Sequence, residues 1–263
     1  MAHIQYLDKN TKGRDFVVGD LHGCFSILED ALQSIKFNAK KDRLISVGDL
    51  VNRGPESHRV LEFIEQPWFY AVRGNHEEAV IRAIKRLQKT LKQKKKERLT
   101  RRLEYSGMGW ICKISDKKQA DIIKTFKKLP LVIEIETQKK KVGIVHADIP
   151  MKWDWPTFID RISQGKKKAI STALRGRDRI RHAYKSKSLR AKKVKGIDRI
   201  FVGHTPQSNN VLCLGNIFCV DTGAALRVTT GDENYHLTLV EITAKKKDIL
   251  KEYKGDKPYL VIS

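Results

Sequence analysis

Short apolar runs that end in a polar, potentially metal-ligating side chain recur five times along this chain, usually through a glycine. The endings are Gly19-Asp20-Leu21-His22, Gly48-Asp49, Gly74-Asn75-His76, Val145-His146 and Gly203-His204. The carboxyl ends of strands in an open α/β sheet border one ligand crevice, so these five ends can converge. Glycine beside such a side chain lets the backbone turn sharply. The pattern therefore predicts an α/β fold with its site at the C-terminal ends of the strands.

Apolar runs of strand length alternate with helical patterns in the first part of the chain, which predicts largely parallel strands. Later runs at 131–136 and 141–146 read as consecutive strands, and 199–203 reads as a further strand. A hairpin around Leu214-Gly215-Asn216 and a return strand at an edge, 236–242, follow. We expect a β-sandwich of two mixed sheets flanked by helices.

The length of 263 residues suits one large domain with one core. We expect that domain to occupy 1–263, with a core of about 14–243. A basic helical insertion at about 80–104 and a short C-terminal extension complete it.

The formal net charge of +23 predicts attraction of acidic partners. Between Arg82 and Arg102 the chain carries eleven Lys or Arg and one acid, Glu97. Apolar residues recur there at helical spacing, which predicts one long helix with a buried stripe; they are Ile81, Ile84, Leu87 and Leu91. Its basic face can be solvated surface, or a docking surface for acidic protein, nucleic acid or lipid headgroups.

Other bulk features restrict the environment of the protein. A second basic stretch at 175–199 lacks the interleaved aromatic residues that stack bases, so nucleic-acid binding is not indicated. Neither a signal peptide nor a membrane-spanning run of about 18 apolar residues is present, which predicts a cytoplasmic location. The cysteines are expected to be reduced core residues, with a Cys213–Cys219 bridge as the alternative.

The polar strand ends together supply one mixed set of oxygen and nitrogen ligands: Asp20, His22, Asp49, Asn75, His146 and His204. Each motif alone is weak, because a Gly-Asp pair is usually a turn and a lone histidine is usually structural. As a set they suit divalent Mn²⁺, Fe or Zn²⁺. A carboxylate placed between two such groups can bridge a pair of metals about 3.5–4 Å apart.

These motifs, in this order, resemble those of the metallophosphatases of the phosphoprotein-phosphatase superfamily. The resemblance is closest to the small bacterial and phage lambda-type serine/threonine protein phosphatases. It extends through Leu44–Pro55, Gln66–Glu77, His146-Ala147-Asp148 and Asp221-Thr222-Gly223-Ala224, and spans about Asp15 to Ile242. It implies a metallophosphoesterase-type sandwich and hydrolysis of phosphate monoesters by a water activated between two metals.

The resemblance also implies individual roles. Asp20 and His22 are expected to bind one metal, Asn75, His146 and His204 the other, and Asp49 both; Mn²⁺ is the metal we expect, with Fe or Zn²⁺ as alternatives.

Arginines are expected to hold the substrate phosphate, because a planar guanidinium binds phosphate through two parallel hydrogen bonds. Arg53 corresponds to the clamp, Arg177 to a later family arginine, and Arg73 to a third that can instead support its loop. Three arginines crowd the segment 174–179, and Arg175 competes with Arg177 for the role.

His76 resembles the family's general acid, which protonates the departing alkoxide. The family usually has Asp where this chain has Asn52. An amide oxygen can still accept a hydrogen bond from the histidine but carries no charge, so the imidazolium form is less stabilised. We expect a weaker acid in a working site.

The expected activity is that of a metal-dependent phosphoprotein phosphatase acting on phosphoserine or phosphothreonine, with phosphotyrosine as an extension. The partner is a phosphorylated, acidic protein or peptide, and the protein itself is expected to be a monomer. A hydrolase of diadenosine tetraphosphate is the alternative, because that related family also replaces the Asp at position 52. Glu77, where those hydrolases tend to have Asp, favours the phosphatase. A basic binding protein on a phosphatase scaffold is a further alternative.

Overall fold

The computed structural model describes residues 3–138, 140–251, 253 and 255–263. Within them lie eleven strands: β1 (Ile4–Leu7), β2 (Asp15–Val18), β3 (Arg43–Ser46), β4 (Phe69–Ala71), β5 (Val132–Glu136), β6 (Lys141–Val145), β7 (Arg199–Val202), β8 (Leu212–Leu214), β9 (Ile217–Cys219), β10 (Leu237–Glu241) and β11 (Tyr259–Ile262).

The α-helices of the same residues are α1 (Phe25–Ser34), α2 (Val60–Ile64), α3 (Asn75–Lys89), α4 (Gln93–Tyr105), α5 (Asp116–Lys128), α6 (Trp155–Ser163), α7 (Lys167–Arg175), α8 (Asp178–Lys185), α9 (Ala224–Thr230) and α10 (Lys246–Ile249). Short 3₁₀ turns at Ser57–Arg59 and Gly109–Cys112 precede α2 and follow α4.

Two mixed sheets form the centre of the fold, as the sequence predicted. The first has the order β1-β5-β6-β7-β9-β8 and the second the order β11-β10-β2-β3-β4. Side chains alternate along each strand with period two. In β2, Phe16 and Val18 face helices α1 to α5, whereas Val17 enters the apolar layer between the sheets. Helices α6 to α8 cover the outer face of the first sheet. The sheets are therefore an inner sandwich between two helical layers.

Two expectations about elements are wrong. The predicted single basic helix is two helices, α3 and α4, separated at residues 90–92, and Leu91 is 93% exposed instead of buried. Residues Leu99 and Leu103 of α4 are buried against the apolar cluster that also holds Leu87, so the chain folds back on itself. The strand predicted as an edge return, β10, lies inside the second sheet between β2 and β11.

One expectation about the cysteines is also wrong. All four are free thiols, as expected, but Cys112 and Cys213 are only partly buried. Among the described residues, no helix combines the length and hydropathy needed to cross a bilayer.

Candidate active site

Six parallel strand ends of the two sheets open on the same edge of the sandwich. In the second sheet β2, β3 and β4 are mutually parallel, and in the first sheet β6, β7 and β9 are. The predicted ligands directly follow five of these strands: Asp20 after β2, Asp49 after β3, Asn75 after β4, His146 after β6 and His204 after β7. The convergence expected from the sequence is therefore present, and both sheets contribute to it.

The His22 ring offers a buried lone pair to this edge. Its Nδ1 lies 3.0 Å from the Val51 carbonyl oxygen and must donate, because a carbonyl only accepts. Its Nε2 then carries the lone pair, lies 3.9 Å from Oδ2 of both Asp20 and Asp49, and is buried without a hydrogen-bond partner among the described residues. A nitrogen lone pair facing two carboxylates is a donor set suited to a divalent cation.

His146 forms a second convergence. Its Nδ1 donates to the Val47 carbonyl at 2.9 Å, and its Nε2 lies 3.0 Å from Asn75 Oδ1 and 3.4 Å from Asp49 Oδ2. Both neighbours of Nε2 are acceptors, so a positive species, either a proton or a metal ion, has to mediate the contact. The His204 ring packs edge-on at 5.0 Å from the His146 ring.

Asp49 belongs to both ligand groups. Close sets of potential ligand atoms comprise His22, Asp49 and His76 in one group, and Asp49, His146 and His204 in the other, with all atoms of a group within 4.8 Å of one another. Asp49 thus occupies the position required of a bridging carboxylate. His76 approaches the first group, with Nε2 at 3.9 Å from Asp49 Oδ2. The donor set fits two divalent cations.

Burial and mutual charge shift the ionisation of these groups. Burial lowers the pKa of His22 and His204 to about 3, so both rings are neutral and available as ligands. Burial and the charges of Asp221 and Asp49 raise the pKa of Asp20 well above its ordinary value. Burial opposes ionisation of Asp49 as well, but the His146 ring, whose Nε2 lies 3.4 Å from Asp49 Oδ2, holds its pKa far below the ordinary value.

Two further carboxylates, which the sequence analysis did not assign a role, lie in this cluster. Glu77 is fully buried and accepts hydrogen bonds from the amides of Gly74, Asp49 and Leu50 at 2.7, 3.0 and 2.8 Å, which fixes the loop that carries Asp49. Burial and Asp49 raise its pKa to about 7. Asp221 follows β9, and burial raises its pKa to about 6. The Asp221-Thr222-Gly223 motif was the signal that could have identified Asp221.

The backbone at this edge is strained. Five site residues adopt positive φ angles, which non-glycine residues rarely do: His22 (46°), Asp49 (50°), Asn52 (73°), Arg53 (70°) and His204 (72°). Such strain persists where the surrounding structure enforces it and is concentrated at functional sites. The turns therefore hold side chains at angles that relaxed strand ends would not give.

The arginines occupy different surroundings. Arg53 is exposed at the edge of the site. Burial lowers the pKa of His22 and of His76, and the positive charge of Arg53 lowers both further. Arg73 is nearly buried and forms an ion pair with Glu78 at 3.2 Å, as a loop support would. Arg177 donates to the His204 carbonyl at 3.4 Å.

The two neighbours of Arg177 differ from it. Arg179 is buried and paired with Asp148 at 3.1 Å, which gives it a structural role. Arg175 is exposed. Burial is the largest cause of the lowered pKa of His76, the charges of Arg53 and His146 come next, and the charge of Arg175 contributes least.

Asn52 contacts His76, as the resemblance implies, but with its other amide atom. Its Nδ2 lies 2.9 Å from His76 Nδ1, while its oxygen accepts from Trp110 Nε1–H at 2.9 Å. Burial lowers the pKa of His76. Trp110 stands 58 residues from Asn52, and no local sequence signal connects them.

Comparison with known proteins points to one family. The sequence pattern of the family described as calcineurin-like phosphoesterase matches residues 16–208. The serine/threonine-protein phosphatase 2 of Escherichia coli is 33% identical over 80% of this chain and 87% of its own length. The symmetrical bis(5'-nucleosyl)-tetraphosphatase of Wigglesworthia glossinidia brevipalpis is 34% identical over 58% of this chain and 50% of its own length.

Among solved structures, that of a putative diadenosine tetraphosphatase has the same fold. It superposes with a TM-score of 0.57 at 20% identity and covers 92% of this chain and 95% of its own.

Proposed function

The chain belongs to the calcineurin-like phosphoesterase family, and we propose that within it the chain is a metal-dependent phosphoprotein phosphatase. Its substrates are phosphate monoesters on serine, threonine or tyrosine side chains. Similarity to bacterial serine/threonine-protein phosphatases over four fifths of the chain supports this assignment.

One observation carries the proposal: two close groups of potential ligand atoms, mostly buried, share Asp49. Asp20 and His22 would hold one cation and Asn75, His146 and His204 the other, with Asp49 between them. Bound there, divalent cations activate water near neutral pH and neutralise charge on a phosphate. Mn²⁺ is the metal we propose, since carboxylate and amide oxygens suit it; Fe and Zn²⁺, which the imidazole ligands suit, are the alternatives.

Substrate binding falls to the arginines around this centre. Arg53 is exposed at the edge of the site, where its guanidinium can reach a phosphate oxygen pair. Arg177 is a second candidate because it lies against the His204 backbone. Arg73 is already paired with Glu78, which favours a supporting role for it.

We also propose that the protein partner is acidic. Helices α3 and α4 form a hairpin whose groove, of about 410 Å³, is lined by Arg86, Lys95, Arg98 and Arg102 together with Thr90 and Leu99. We call these four cations the hairpin cations. None of them forms an ion pair within the described residues. The hairpin starts and ends beside the site, because α3 begins at Asn75 and Gly107, just after α4, packs against Arg53.

We propose that the protein is a cytoplasmic monomer. Four free thiols suit a reducing compartment. Among the described residues, Tyr6, Met151 and Val228 are exposed singly on β1, a loop and α9, whereas Tyr184, Leu189 and Leu250 line one common pocket.

A dinucleoside tetraphosphate hydrolase is the second candidate, favoured by the similarity to the Wigglesworthia enzyme over about half of each chain. The deciding experiment is hydrolysis by Mn²⁺-reconstituted protein of a phosphopeptide panel and of a panel of dinucleoside polyphosphates. Metal-dependent turnover of the peptides is the expected result. Turnover of the dinucleotides alone would select the second candidate, and inactivity on both panels would select a binding protein.

A further inference from the structure

The Asn52 amide is held from both sides. The Trp110 indole N–H donates to Asn52 Oδ1 at 2.9 Å, and Asn52 Nδ2 lies 2.9 Å from His76 Nδ1. Asn52 is fully buried, and its backbone amide donates to Ser57 Oγ at 2.8 Å. The amide therefore has one polar neighbour on each side and is shielded from solvent.

The chemistry of the two neighbours fixes the direction of both hydrogen bonds. An indole N–H can only donate, so the amide atom that faces Trp110 must be the oxygen. The atom that faces His76 is then the NH₂ group, which can only donate. His76 Nδ1 must accept, so it carries a lone pair and the ring proton lies on Nε2. Trp110 alone decides this, because without it the amide could turn its oxygen toward His76.

The fold positions Trp110 for this contact. It lies in the 3₁₀ turn Gly109–Cys112 that follows α4. Just before the turn, Gly107 has a φ of +72°, and a Cβ there would come within 3.0 Å of the Arg53 backbone nitrogen. The end of the helical hairpin is thus packed directly against the loop that carries Asn52 and Arg53.

We propose that Trp110 is a positioning residue that sets the leaving-group preference of the site. With Nδ1 accepting from the Asn52 amide, the hydrogen-bond geometry leaves His76 one ring proton, on Nε2, and the ring offers the substrate a neutral N–H. Such a ring can hydrogen-bond the departing oxygen but is a poor proton donor. The proposal rests on the proposed phosphatase function for its choice of substrates.

The consequence follows from the fate of the departing oxygen. Water forms a new P–O bond and the ester P–O bond breaks, with its electron pair leaving on the ester oxygen. A phenolate tolerates that charge, whereas a serine alkoxide needs a proton during bond cleavage. The structure therefore predicts a preference for phosphotyrosine over phosphoserine in peptides of otherwise identical sequence.

The first test observes His76 directly, without turnover. ¹⁵N NMR of the full chain, with and without diamagnetic Zn²⁺, reports which ring nitrogen carries the proton, and His76→Gln identifies the signal. We expect the Nε2–H form in the wild type, and a shift toward Nδ1–H in Trp110→Phe, which removes the indole N–H but keeps an aromatic ring. An Nδ1–H ring in the wild type, or Nε2 bound to Zn²⁺ in place of its proton, overturns the proposal.

The second test measures kcat/KM on the matched phosphotyrosine and phosphoserine peptides. We expect a ratio of at least about tenfold in the wild type, which corresponds to about 1.4 kcal/mol. Trp110→Phe should lower the ratio severalfold by improving phosphoserine turnover. Trp68→Phe is the matched control. Trp68 directly precedes β4 and so lies at the N-terminal end of that strand, away from the site at the C-terminal ends. This variant should leave the ratio unchanged.

The outcomes separate the two proposals. An unchanged ratio in Trp110→Phe, or a wild type that prefers phosphoserine, overturns the role of Trp110. Hydrolysis of dinucleotides but of neither peptide overturns the phosphatase function, while the NMR measurement still decides how His76 is held.

Discussion

The exposed Arg53 is the residue we expect to bind the substrate phosphate without touching the metal ligands. Arg53→Ala removes a charge-assisted hydrogen-bonding group, an interaction that contributes about 1.5–3 kcal/mol. We therefore expect kcat/KM on a phosphopeptide to fall about ten- to a hundredfold, with KM raised and metal content unchanged. Steady-state kinetics and metal analysis check this. Arg161→Ala, an exposed arginine on α6, is the control. Unaltered kinetics in Arg53→Ala would mean that the residue only supports its loop.

Asn52 gives a second prediction at the scale of one residue. The carboxylate of Asn52→Asp can accept from Trp110 and from His76 Nδ1 at once, which the amide cannot do. A protonated His76 is then stabilised, so kcat should rise on a phosphoserine peptide by more than on p-nitrophenyl phosphate, whose leaving group needs no proton. The two kcat values measured side by side check this. Equal responses of the two substrates would exclude His76 as the proton donor.

A stability prediction concerns Asp42. Its carboxylate accepts from the Arg14 side chain at 2.7 Å and from the amides of Arg14 and Asn38 at 2.8 and 3.0 Å. Burial alone would raise its pKa, but these hydrogen bonds hold it below the ordinary value. A lowered folded-state pKa stabilises the fold above the unfolded pKa of about 3.9, and this contribution is lost as pH falls through the folded pKa.

Asp42→Asn should therefore lower the free energy of unfolding at pH 7 by about 1–3 kcal/mol. The difference from the wild type should shrink below about pH 4. Urea unfolding across a pH series measures it, with the exposed Asp30→Asn as control. A difference that stays constant down to pH 2 would show that the ionised form contributes nothing.

The α3–α4 hairpin carries the prediction at the scale of an element. Reversing three of the hairpin cations, Lys95→Glu, Arg98→Glu and Arg102→Glu, should reduce kcat/KM on an acidic phosphopeptide about tenfold at low salt, because electrostatic steering accelerates association. Turnover of a small aryl phosphate should change by less than about twofold, and the peptide effect should fade as the Debye length drops from about 10 to 3 Å.

The same reversal at Lys245, Lys246 and Lys247 is the matched control, because these residues lie beyond β10 at the opposite edge of the sheets. If both triple variants lost the same factor in kcat/KM on the acidic phosphopeptide, the effect would come from the net charge of the protein and not from the hairpin. If the hairpin variant instead lost nucleic-acid binding and kept its kcat/KM on the acidic phosphopeptide, the proposal of an acidic protein partner would be wrong.

Sequence patterns predicted the elements that depend on local periodicity and the site residues that follow strands. The strand ends at Asp20, Asp49 and His146 were found this way because each motif is contiguous. The break between α3 and α4 was missed, since neither glycine nor proline marks residues 90–92 and Leu91 continues the apolar spacing. The position of β10 depends on its pairing with β2, which is more than 200 residues distant and leaves no local trace.

At the scale of the whole molecule, the proposed metal ligands come from both sheets. Asp20, Asp49 and Asn75 follow strands of the second sheet, and His146 and His204 follow strands of the first. A cation bound by both halves stabilises only the state in which they are packed together. The thermal stability of the entire domain should therefore depend on metal.

Saturating Mn²⁺ should raise Tm by several degrees, because a ligand at a hundred times its Kd contributes about 2.7 kcal/mol. Asp49→Asn should abolish most of this rise together with activity, since it is the residue common to both ligand groups. Calorimetry with Mn²⁺ or with chelator, alongside metal analysis, measures the effect, and Asp30→Asn should respond like the wild type. Two ions at full occupancy and normal activity in Asp49→Asn would refute the bridging role.

The left-handed backbone at the strand ends implies an outcome for laboratory evolution. Glycine relieves the strain of a positive φ, which costs other residues about 1 kcal/mol or more each. A library of this protein selected only for heat resistance in the presence of a chelator, so that bound metal contributes nothing, should therefore accumulate glycine at His22, Asp49, Asn52, Arg53 and His204, whose φ angles lie between 46° and 73°. Selection for turnover should restore the original residues at those positions. The positions at which the two selections disagree would map, without any assay of single variants, the side chains that this fold keeps at the expense of its own stability.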